Sequence, residues 1–343
     1  MKKLLNTLYI TSEDKYLSLD GENVVVSVKG KEVGRVPLHN LEAIVTFGFA
    51  GASPALMGGC AQRNVALTFL SPYGKYLASV VGKTRGNVVL RKKQYQVASE
   101  ERASLAIAKN CIMGKVYNCR WILERSKRDH PLQVDVEQLK NASQKMQDAL
   151  LQISITDDIE ELRGREGAAA TVYFSVFHNF ILQQKDSFEF RTRSRRPPLD
   201  RVNALLSFSY TLLTSMVTSA LETVGLDPAV GFMHGDRPGR NSLALDMMEE
   251  LRPVLADRFV VMLINKRIVT ANDFSEKEDG AVLLTEEARK MVLSEWQKRK
   301  QIEITHPFLN EKVAWGLVPY IQAMLLSRYL RGDIEEYPPF FWR

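Results

Sequence analysis

The stretch RVNALLSFSYTLLTSMVTSALETVG, residues 201–225, carries the clearest helical pattern in the chain. Its apolar residues recur every three to four positions, which is the spacing of one face of an α-helix. Asp200 can cap the first turn after Pro197 and Pro198, and Gly225 suits the left-handed residue that ends a helix. The pattern therefore predicts a long helix with one side in a hydrophobic core.

Similar patterns fill the chain after about residue 90, where strand signals nearly vanish. We predict further helices over residues 92–128, 134–152, 157–184, 242–256, 285–300 and 308–331. Together these helices predict a large all-α C-terminal domain over residues 89–343.

The first 85 or so residues have the pattern of β structure. Short Val-rich runs with period two alternate with turn sequences such as Asp20-Gly21 and Lys29-Gly30. A single small-residue helix is predicted around residues 53–62. We therefore predict an α+β two-domain fold whose N-terminal part, residues 1–88, is β-sandwich-like, with the boundary inside residues 82–90.

Composition limits the classes of protein that need to be considered. The 46 Lys and Arg residues exceed the 40 Asp and Glu residues by 6, so a polyanionic partner is plausible but not required. The three cysteines form no CxxC pair, which argues against a disulfide framework and a zinc ribbon. Charged residues at 13 and 14 interrupt the start before a signal peptide forms, and we find no apolar stretch of roughly 18–20 residues. We expect a soluble, cytoplasmic protein without a membrane span.

The predicted helix over residues 242–256 has an acidic side. Asp246 and Glu249 are spaced i and i+3, so both carboxylates can reach one cation. His234 lies on the preceding loop and could turn back beside them. The alternative is that the acids form the solvated face of an amphipathic helix, which is the commoner outcome for an isolated acidic face.

A third candidate ligand lies far away in the sequence. Glu166 is surrounded by Gly164, Gly167 and three alanines, on a predicted helix surface without bulky side chains. Glycine lowers helix propensity by about 1 kcal/mol, which indicates that something must approach this surface closely. The alternative is tight helix packing with Glu166 as an incidental surface acid.

Arginines are concentrated in RTRSRRPPLDRVN, residues 191–203, and again just after His234. Guanidinium groups match phosphate oxygens bidentately, whereas most charged runs are simply solvated. We predict DNA phosphate contacts from six of them: Arg191, Arg193, Arg195, Arg196, Arg237 and Arg240. The end of the chain, EEYPPFFWR, is either an apolar docking tail or an aromatic end that packs on its own domain.

Three segments carry a family resemblance: LRGREGAAATVYF (162–174), RSRRPPLDRVNALLSFSYTLL (193–213) and GLDPAVGFMHGDRPGRNSLALDMMEELRP (225–253). Together, and behind an N-terminal β module, they resemble the CRISPR-associated integrases of spacer acquisition, the first-numbered proteins of those systems. The similarity covers essentially the whole chain and is closest to subtype I-C.

The resemblance implies a metal-dependent DNA endonuclease and integrase. Its metal ligands match Glu166, His234 and Glu249, with Asp246 as a supporting or alternate ligand, and all four are implied catalytic residues. This ligand set suits Mg²⁺ or Mn²⁺. The implied reaction is attack of a 3′-hydroxyl on a phosphodiester at the edge of a CRISPR repeat, which inserts a DNA fragment.

The resemblance also implies partners: double-stranded DNA as incoming fragment and as repeat, a homodimer formed through the β domains, and a heterohexamer with the small second-numbered Cas protein. A metal-free basic DNA-binding protein with a solvated acidic helix remains the alternative. A zinc hydrolase is disfavoured because there is no HExxH motif, and nucleotide hydrolysis is not indicated because there is no GxxxxGK[ST] loop.

Overall fold

The computed structural model describes residues 6–63, 65–71, 76–80 and 88–342. A β-rich N-terminal part is followed by a larger helical part, which confirms the α+β class. Most of the predicted boundary stretch, residues 82–90, lies outside the described residues, so the domain limits stay a prediction.

Two sheets form the N-terminal part, and their strands lie in the predicted β region, although the first strand was not predicted. The elements are β1 (Thr7–Ile10), β2 (Lys15–Asp20), β3 (Asn23–Val28), β4 (Lys31–Pro37), β5 (Ala43–Phe47), α1 (Pro54–Arg63), β6 (Ala66–Leu70) and β7 (Tyr76–Val80). Strands β2, β3 and β4 make an antiparallel meander. Its second turn has positive φ at both Lys29 and Gly30, as a two-residue hairpin requires. The first turn is Gly21-Glu22, one residue later than predicted, because Asp20 pairs with Asn23.

The second sheet differs from a simple sandwich. Its order is β1-β5-β6-β7, and β1, β5 and β6 run parallel. Parallel neighbours need a crossover connection, and α1 provides it between β5 and β6. The sheet is buried on both faces: Ile44 belongs to the N-terminal core, whereas Val45 and Phe47 belong to the core of the helical part. This sheet therefore joins the two parts.

The helical part contains all the predicted helical regions. Its elements are α2 (Val88–Ser99), α3 (Glu101–Asp129), α4 (Val136–Ile155), α5 (Ile159–Ser175), α6 (Arg201–Val224), α7 (Ser242–Glu249), α8 (Arg258–Asn265), β8 (Phe274–Glu276), β9 (Val282–Leu284), α9 (Glu286–Gln301), β10 (Glu303–Thr305), β11 (Lys312–Ala314) and α10 (Val318–Arg331). Helix α6 begins with the Asp200 carboxylate accepting from the Asn203 N–H at 2.7 Å and ends at Gly225 with φ 87°. Both signals were predicted from the sequence.

Five details differ from the predictions. The predicted helix 157–184 ends as α5 at Ser175. The predicted helix 308–331 contains β11 and begins as α10 only at Val318. The helical part is not purely α, because β8–β9 and β10–β11 form two small hairpins. The predicted helix 92–128 is interrupted at Glu100, between α2 and α3. The predicted helix 242–256 ends as α7 at Glu249 and continues through a π-helical turn, Arg252–Asp257, where Pro253 supplies no N–H.

Helix α6 is long and apolar enough to cross a bilayer by composition alone, contrary to the expectation that no such stretch exists. More than half of its most apolar window, 56%, is buried inside the protein, as in the core helix of a globular fold. The three cysteines Cys60, Cys111 and Cys119 are buried and free, as expected from their spacing.

Candidate metal centre

The acidic residues of α7 are buried. Asp246 is 1% exposed, Glu249 7% and Glu250 0%. A buried carboxylate is costly unless cations or hydrogen-bond donors surround it, so each of the three must have specific partners. The alternative of a solvated acidic helix is therefore wrong.

Asp246 organises the loop that carries His234. Its carboxylate accepts from the backbone N–H groups of Phe232 (2.6 Å), Met233 (3.0 Å) and His234 (3.0 Å). Gly231 is required next to it, because a Cβ there would lie 2.7 Å from Asp246 Oδ2. Asp246 thus has its oxygens occupied by the loop and is poorly placed to be a direct metal ligand.

The same carboxylate orients the imidazole of His234. Nδ1 of His234 lies 2.6 Å from Asp246 Oδ1. Because this oxygen already accepts a backbone N–H, we assign the proton to Nδ1, which leaves Nε2 with its lone pair. In the described part of the chain, Nε2 has no hydrogen-bond partner. A carboxylate behind a histidine is the usual support for a metal-binding imidazole.

Other elements fix this loop from outside. The buried side chain of Gln94 on α2 donates to the carbonyls of Asp227 (2.8 Å) and Val230 (2.9 Å). Ser104 on α3 donates to Phe232 O at 2.9 Å, and Arg163 on α5 donates to Met233 O at 3.1 Å. Arg163 lies one helical turn before Glu166, so the loop of His234 is attached to the helix that carries Glu166.

Glu166 and Glu249 share a single buried cation. The Lys115 ammonium on α3 is bound to Glu166 Oε1 and lies 2.6 Å from Glu249 Oε2. The lysine side chain is 9% exposed. Two carboxylates that are 83 positions apart in the sequence therefore meet around one positive charge, which is the arrangement that a divalent cation would also require.

A second cation supports Glu249. Arg252 Nη1 lies 2.5 Å from Glu249 Oε1. Burial alone would raise the pKa of Glu249, but Arg252 and Lys115 outweigh it and lower this pKa to about 2. Burial would likewise lower the pKa of Lys115, yet Glu249 and Glu166 raise it above its usual value. Both members of the pair are therefore charged near neutral pH.

The predicted ligands do not meet as a complete set. Across residues 6–63, 65–71, 76–80 and 88–342, no three His, Cys, Asp or Glu side chains are grouped closely enough to hold a metal ion. Lys115 stands between Glu166 and Glu249, and the contact of His234 is with Asp246. The donor types nevertheless fit Mg²⁺ or Mn²⁺: two carboxylates already around one positive charge and an imidazole with a free Nε2.

The surface around Glu166 is open. Gly164 and Gly167 are exposed, and a Cβ at either position would meet no atom within 4 Å. The alternative of a second helix packed tightly against these two glycines is therefore wrong. They leave a smooth surface beside Glu166 that a large ligand can reach.

The other side of α7 is held by the end of the chain. Glu250 accepts from Gln322 Nε2 (3.0 Å), from the Phe340 N–H (2.7 Å) and from the Tyr337 hydroxyl. Burial raises the pKa of Glu250 to about 7, and these hydrogen bonds oppose the rise. Tyr337 is 1% exposed and Phe340 is fully buried, so the aromatic end packs on its own domain. Gly114 permits this packing, because a Cβ there would lie 2.8 Å from Glu250 Cβ.

The predicted phosphate-binding arginines fall into two groups. Arg195, Arg196 and Arg237 are exposed, and Arg191 is exposed but paired with Glu189 at 2.7 Å. Arg193 differs from the expectation: it is half-buried and donates to Asn203 Oδ1 at 2.7 Å and to Ser207 Oγ at 3.2 Å. Arg240 is bound to Gly235 O and shapes the His234 loop.

Several site residues were missed in the sequence. These residues lie on two helices: Gly114, Lys115 and Asn118 on α3, and Gln94 on α2. A single glycine or polar residue in a helical pattern does not indicate a functional role. Pro253 was the visible signal for the helix irregularity after Glu249.

The fold is α+β, and its site has two carboxylates at one buried lysine beside a histidine fixed by a third carboxylate. The chain belongs to the Cas1 family: the family described as CRISPR associated protein Cas1 matches residues 8–298. This confirms the family resemblance.

Relatives align over the full length. The chain is 50% identical over 343 residues to CRISPR-associated endonuclease Cas1 1 of Chlorobaculum tepidum, covering 100% of both chains. It is 52% identical over 347 residues to CRISPR-associated endonuclease Cas1 2 of Rhodospirillum rubrum, again covering 100% of both. Among solved structures, a casposase bound to its integration product superimposes with a TM-score of 0.84 at 23% identity, covering 98% of this chain and 93% of that chain. At this identity the likeness concerns the fold.

Proposed function

We propose that this protein is a divalent-metal-dependent DNA endonuclease and integrase that inserts DNA fragments, spacers, into a CRISPR array. Its full-length relatives are named as Cas1 endonucleases, which supports a nuclease. The observation that carries the metal-dependent mechanism is the meeting of Glu166 and Glu249 at one buried positive charge, with His234 held by Asp246 on a loop tied to the same helix.

We propose that Glu166, Glu249 and His234 Nε2 hold Mg²⁺ or Mn²⁺. When bound, the ion would supply Lewis-acid polarisation of a phosphodiester and stabilise the charge that develops on it. Lys115 provides the compensating charge when the metal is absent, and it must move from between the carboxylates for an ion to use both. Asp246 keeps the proton on Nδ1 and so keeps Nε2 available.

In the joining step, the 3′-oxygen of the incoming fragment forms a bond to the phosphorus at the repeat boundary. The bond between that phosphorus and its former 3′-oxygen breaks, and the proton lost by the attacking hydroxyl is balanced by one gained by the leaving oxygen. One phosphodiester replaces another, so no energy source is needed. The same centre would cleave DNA if water replaced the hydroxyl.

The surface around the centre suits a polyanion. The exposed face beside Gly164 and Gly167 gives a backbone room to approach Glu166. Arg195, Arg196 and Arg237 are exposed and can contact phosphates, whereas Arg193 and Arg240 act through the positions of neighbouring residues.

Partners follow from the family resemblance. We propose a homodimer through the β-rich part and a heterohexamer with the small second-numbered Cas protein on double-stranded DNA. Phe49 and Val33, 72% and 56% exposed, are apolar groups of the β-rich part available for such contacts. The cytoplasmic location and subtype I-C rest on the sequence alone and stay predictions.

The test is a joining assay with a labelled DNA fragment and a plasmid that carries a repeat array, with the small partner present. We expect joining in Mg²⁺ or Mn²⁺, none in a chelator, and at least a hundredfold loss for Glu166→Gln and His234→Ala with DNA binding retained. Glu137→Gln, at an exposed acid of α4 that contacts only Lys140 among the described residues, is the matched control. Equal joining by wild type in metal and in chelator would refute the proposal.

A further inference from the structure

A charged cavity lies apart from the proposed metal ligands. It has a volume of about 360 Å³, and its lining includes Asn118, Glu124, Arg125, Arg128, Arg258 and Trp342. Three of these side chains are guanidinium groups. This volume exceeds what a phosphate group needs and falls within the range of ordinary ligand pockets, about 300–1,000 Å³.

Two of the arginines converge on one indole ring. The guanidinium carbons of Arg125 and Arg258 lie 4.8 Å and 4.7 Å from the ring centroid of Trp342. Trp342 is fixed in turn, because its backbone N–H donates to Asn118 Oδ1 at 3.0 Å. Both cations are therefore held against one ring whose backbone position is fixed.

Within the described chain, no carboxylate contacts either of these two guanidinium groups directly, and Asp129 acts on both only at longer range. The nearby acids are already used: Glu124 accepts from Lys127 at 3.0 Å and from Ser143, and Asp129 pairs with Arg128 at 2.8 Å. Within the described residues, neither Arg125 nor Arg258 makes a hydrogen bond or an ion pair to a carboxylate. Partly buried like charges without a counter-ion repel each other, and an anion would remove that repulsion.

The electrostatics agree with the geometry. Burial, together with Arg299 and Arg125, lowers the pKa of Arg258 to about 10. Asp129 opposes this lowering but does not outweigh it. Planar guanidinium groups bind phosphate oxygens in the bidentate manner.

We propose that this cavity is a second phosphate site, formed by Arg125, Arg258 and Trp342, that holds a phosphodiester of a DNA strand. Arg125 lies ten residues after Lys115 on α3, a separation of about 15 Å along the helix axis. That distance corresponds to about four phosphates of a DNA strand from the reacting one. The site's existence does not depend on the proposed function, but the choice of DNA as the source of the phosphate does.

The test uses the intrinsic fluorescence of Trp342. The full-length protein in a chelator is titrated with inorganic phosphate, and separately with a short single-stranded oligonucleotide, at matched ionic strength set with sodium chloride. We expect a saturable change with phosphate that is absent in Trp342→Phe, and an affinity at least tenfold weaker in Arg258→Gln and in Arg125→Gln. Arg331→Gln, an exposed arginine paired with Asp333, should bind like wild type. Thermal unfolding of each variant separates lost binding from lost folding, and Arg125→Gln provides the test if Arg258→Gln does not fold.

The outcomes separate the claims. Competition between the oligonucleotide and phosphate supports the DNA assignment. Phosphate binding without such competition overturns that assignment in favour of a free phosphate compound. No saturable phosphate binding by wild type overturns the site itself. Because the titration needs neither metal nor partner, loss of strand joining in the assay above would leave this result unaffected.

Discussion

Nδ1 of His234 lies 2.6 Å from Oδ1 of Asp246, and this contact determines which imidazole nitrogen can face a ligand. The two acids spaced i and i+3 on α7, Asp246 and Glu249, therefore have different roles. Asp246 folds the loop and orients the histidine, while Glu249, one turn later, faces Lys115 and Glu166.

This division predicts a graded response to substitution. Asp246→Asn replaces one carboxylate oxygen by an amide NH₂ group, which cannot accept the hydrogen bonds of the loop and of His234. We therefore expect Mn²⁺ affinity to fall by about 10–100-fold. Electron paramagnetic resonance titration of free Mn²⁺ measures it directly. Asp236→Asn, at an exposed acid on the same loop, is the control, and an Asp246→Asn variant with wild-type affinity would show that the contact does not support metal binding.

Lys115 should stabilise the metal-free protein specifically. Lys115→Met removes the cation between Glu166 and Glu249 and leaves only Arg252 at Glu249. Breaking a buried ion pair costs about 3–5 kcal/mol. We expect the free energy of unfolding in a chelator to fall by that order, and Mn²⁺ to restore more stability in the variant than in wild type. Lys109→Met is the control, since Lys109 on the same helix donates only to backbone carbonyls. Equal stability of Lys115→Met and wild type in chelator would contradict this role.

How much of this was visible in the sequence depends on the range of the interactions. The limits of α6 could be predicted, because its signals at Asp200 and Gly225 are local. The i, i+3 spacing of Asp246 and Glu249 could also be read from the sequence. The role of Lys115 could not be predicted, because a lysine on a long helix bears no spacing relation to carboxylates 51 and 134 residues later. The burial of α7 also depends on distant parts of the chain, α3 and residues 337–342, so its acids resembled a solvated face. The parallel pairing of β1, β5 and β6 likewise depends on long-range contacts.

The arginines should separate into binding and structural groups. Substituting Arg195 and Arg196 by Ala should weaken DNA binding and reduce its salt dependence by about 0.9 per lost phosphate contact, without changing thermal unfolding. Arg193→Ala should instead destabilise the fold by about 1–3 kcal/mol, because Asn203 loses a buried donor. Binding isotherms at several salt concentrations and melting curves measure the two effects. If Arg193→Ala weakens binding with unchanged stability, its assignment here is wrong.

Asp257 should make stability depend on pH. Burial raises its pKa from 3.8 to about 6, while the Tyr210 hydroxyl donates to it at 2.5 Å. The folded state therefore keeps this proton where the unfolded state has lost it, and stability falls as pH rises from about 4 through 6. Asp257→Asn removes this dependence, so relative to the variant, wild type should lose about 2 kcal/mol between pH 4.5 and pH 7.5. Urea unfolding at pH 4.5 and 7.5 measures it, with Asp236→Asn as the control. A difference independent of pH would exclude this ionisation behaviour.

Anomalous scattering of manganese in crystals grown with Mn²⁺ tests the proposed ligand set directly. We expect one peak about 2 Å from a carboxylate oxygen of Glu166, a carboxylate oxygen of Glu249 and Nε2 of His234. The Lys115 ammonium should have moved away from between the carboxylates, and Asp246 should still be bound to Nδ1. A saturated crystal with Lys115 still bridging Glu166 and Glu249, and no manganese at His234, would contradict this ligand set.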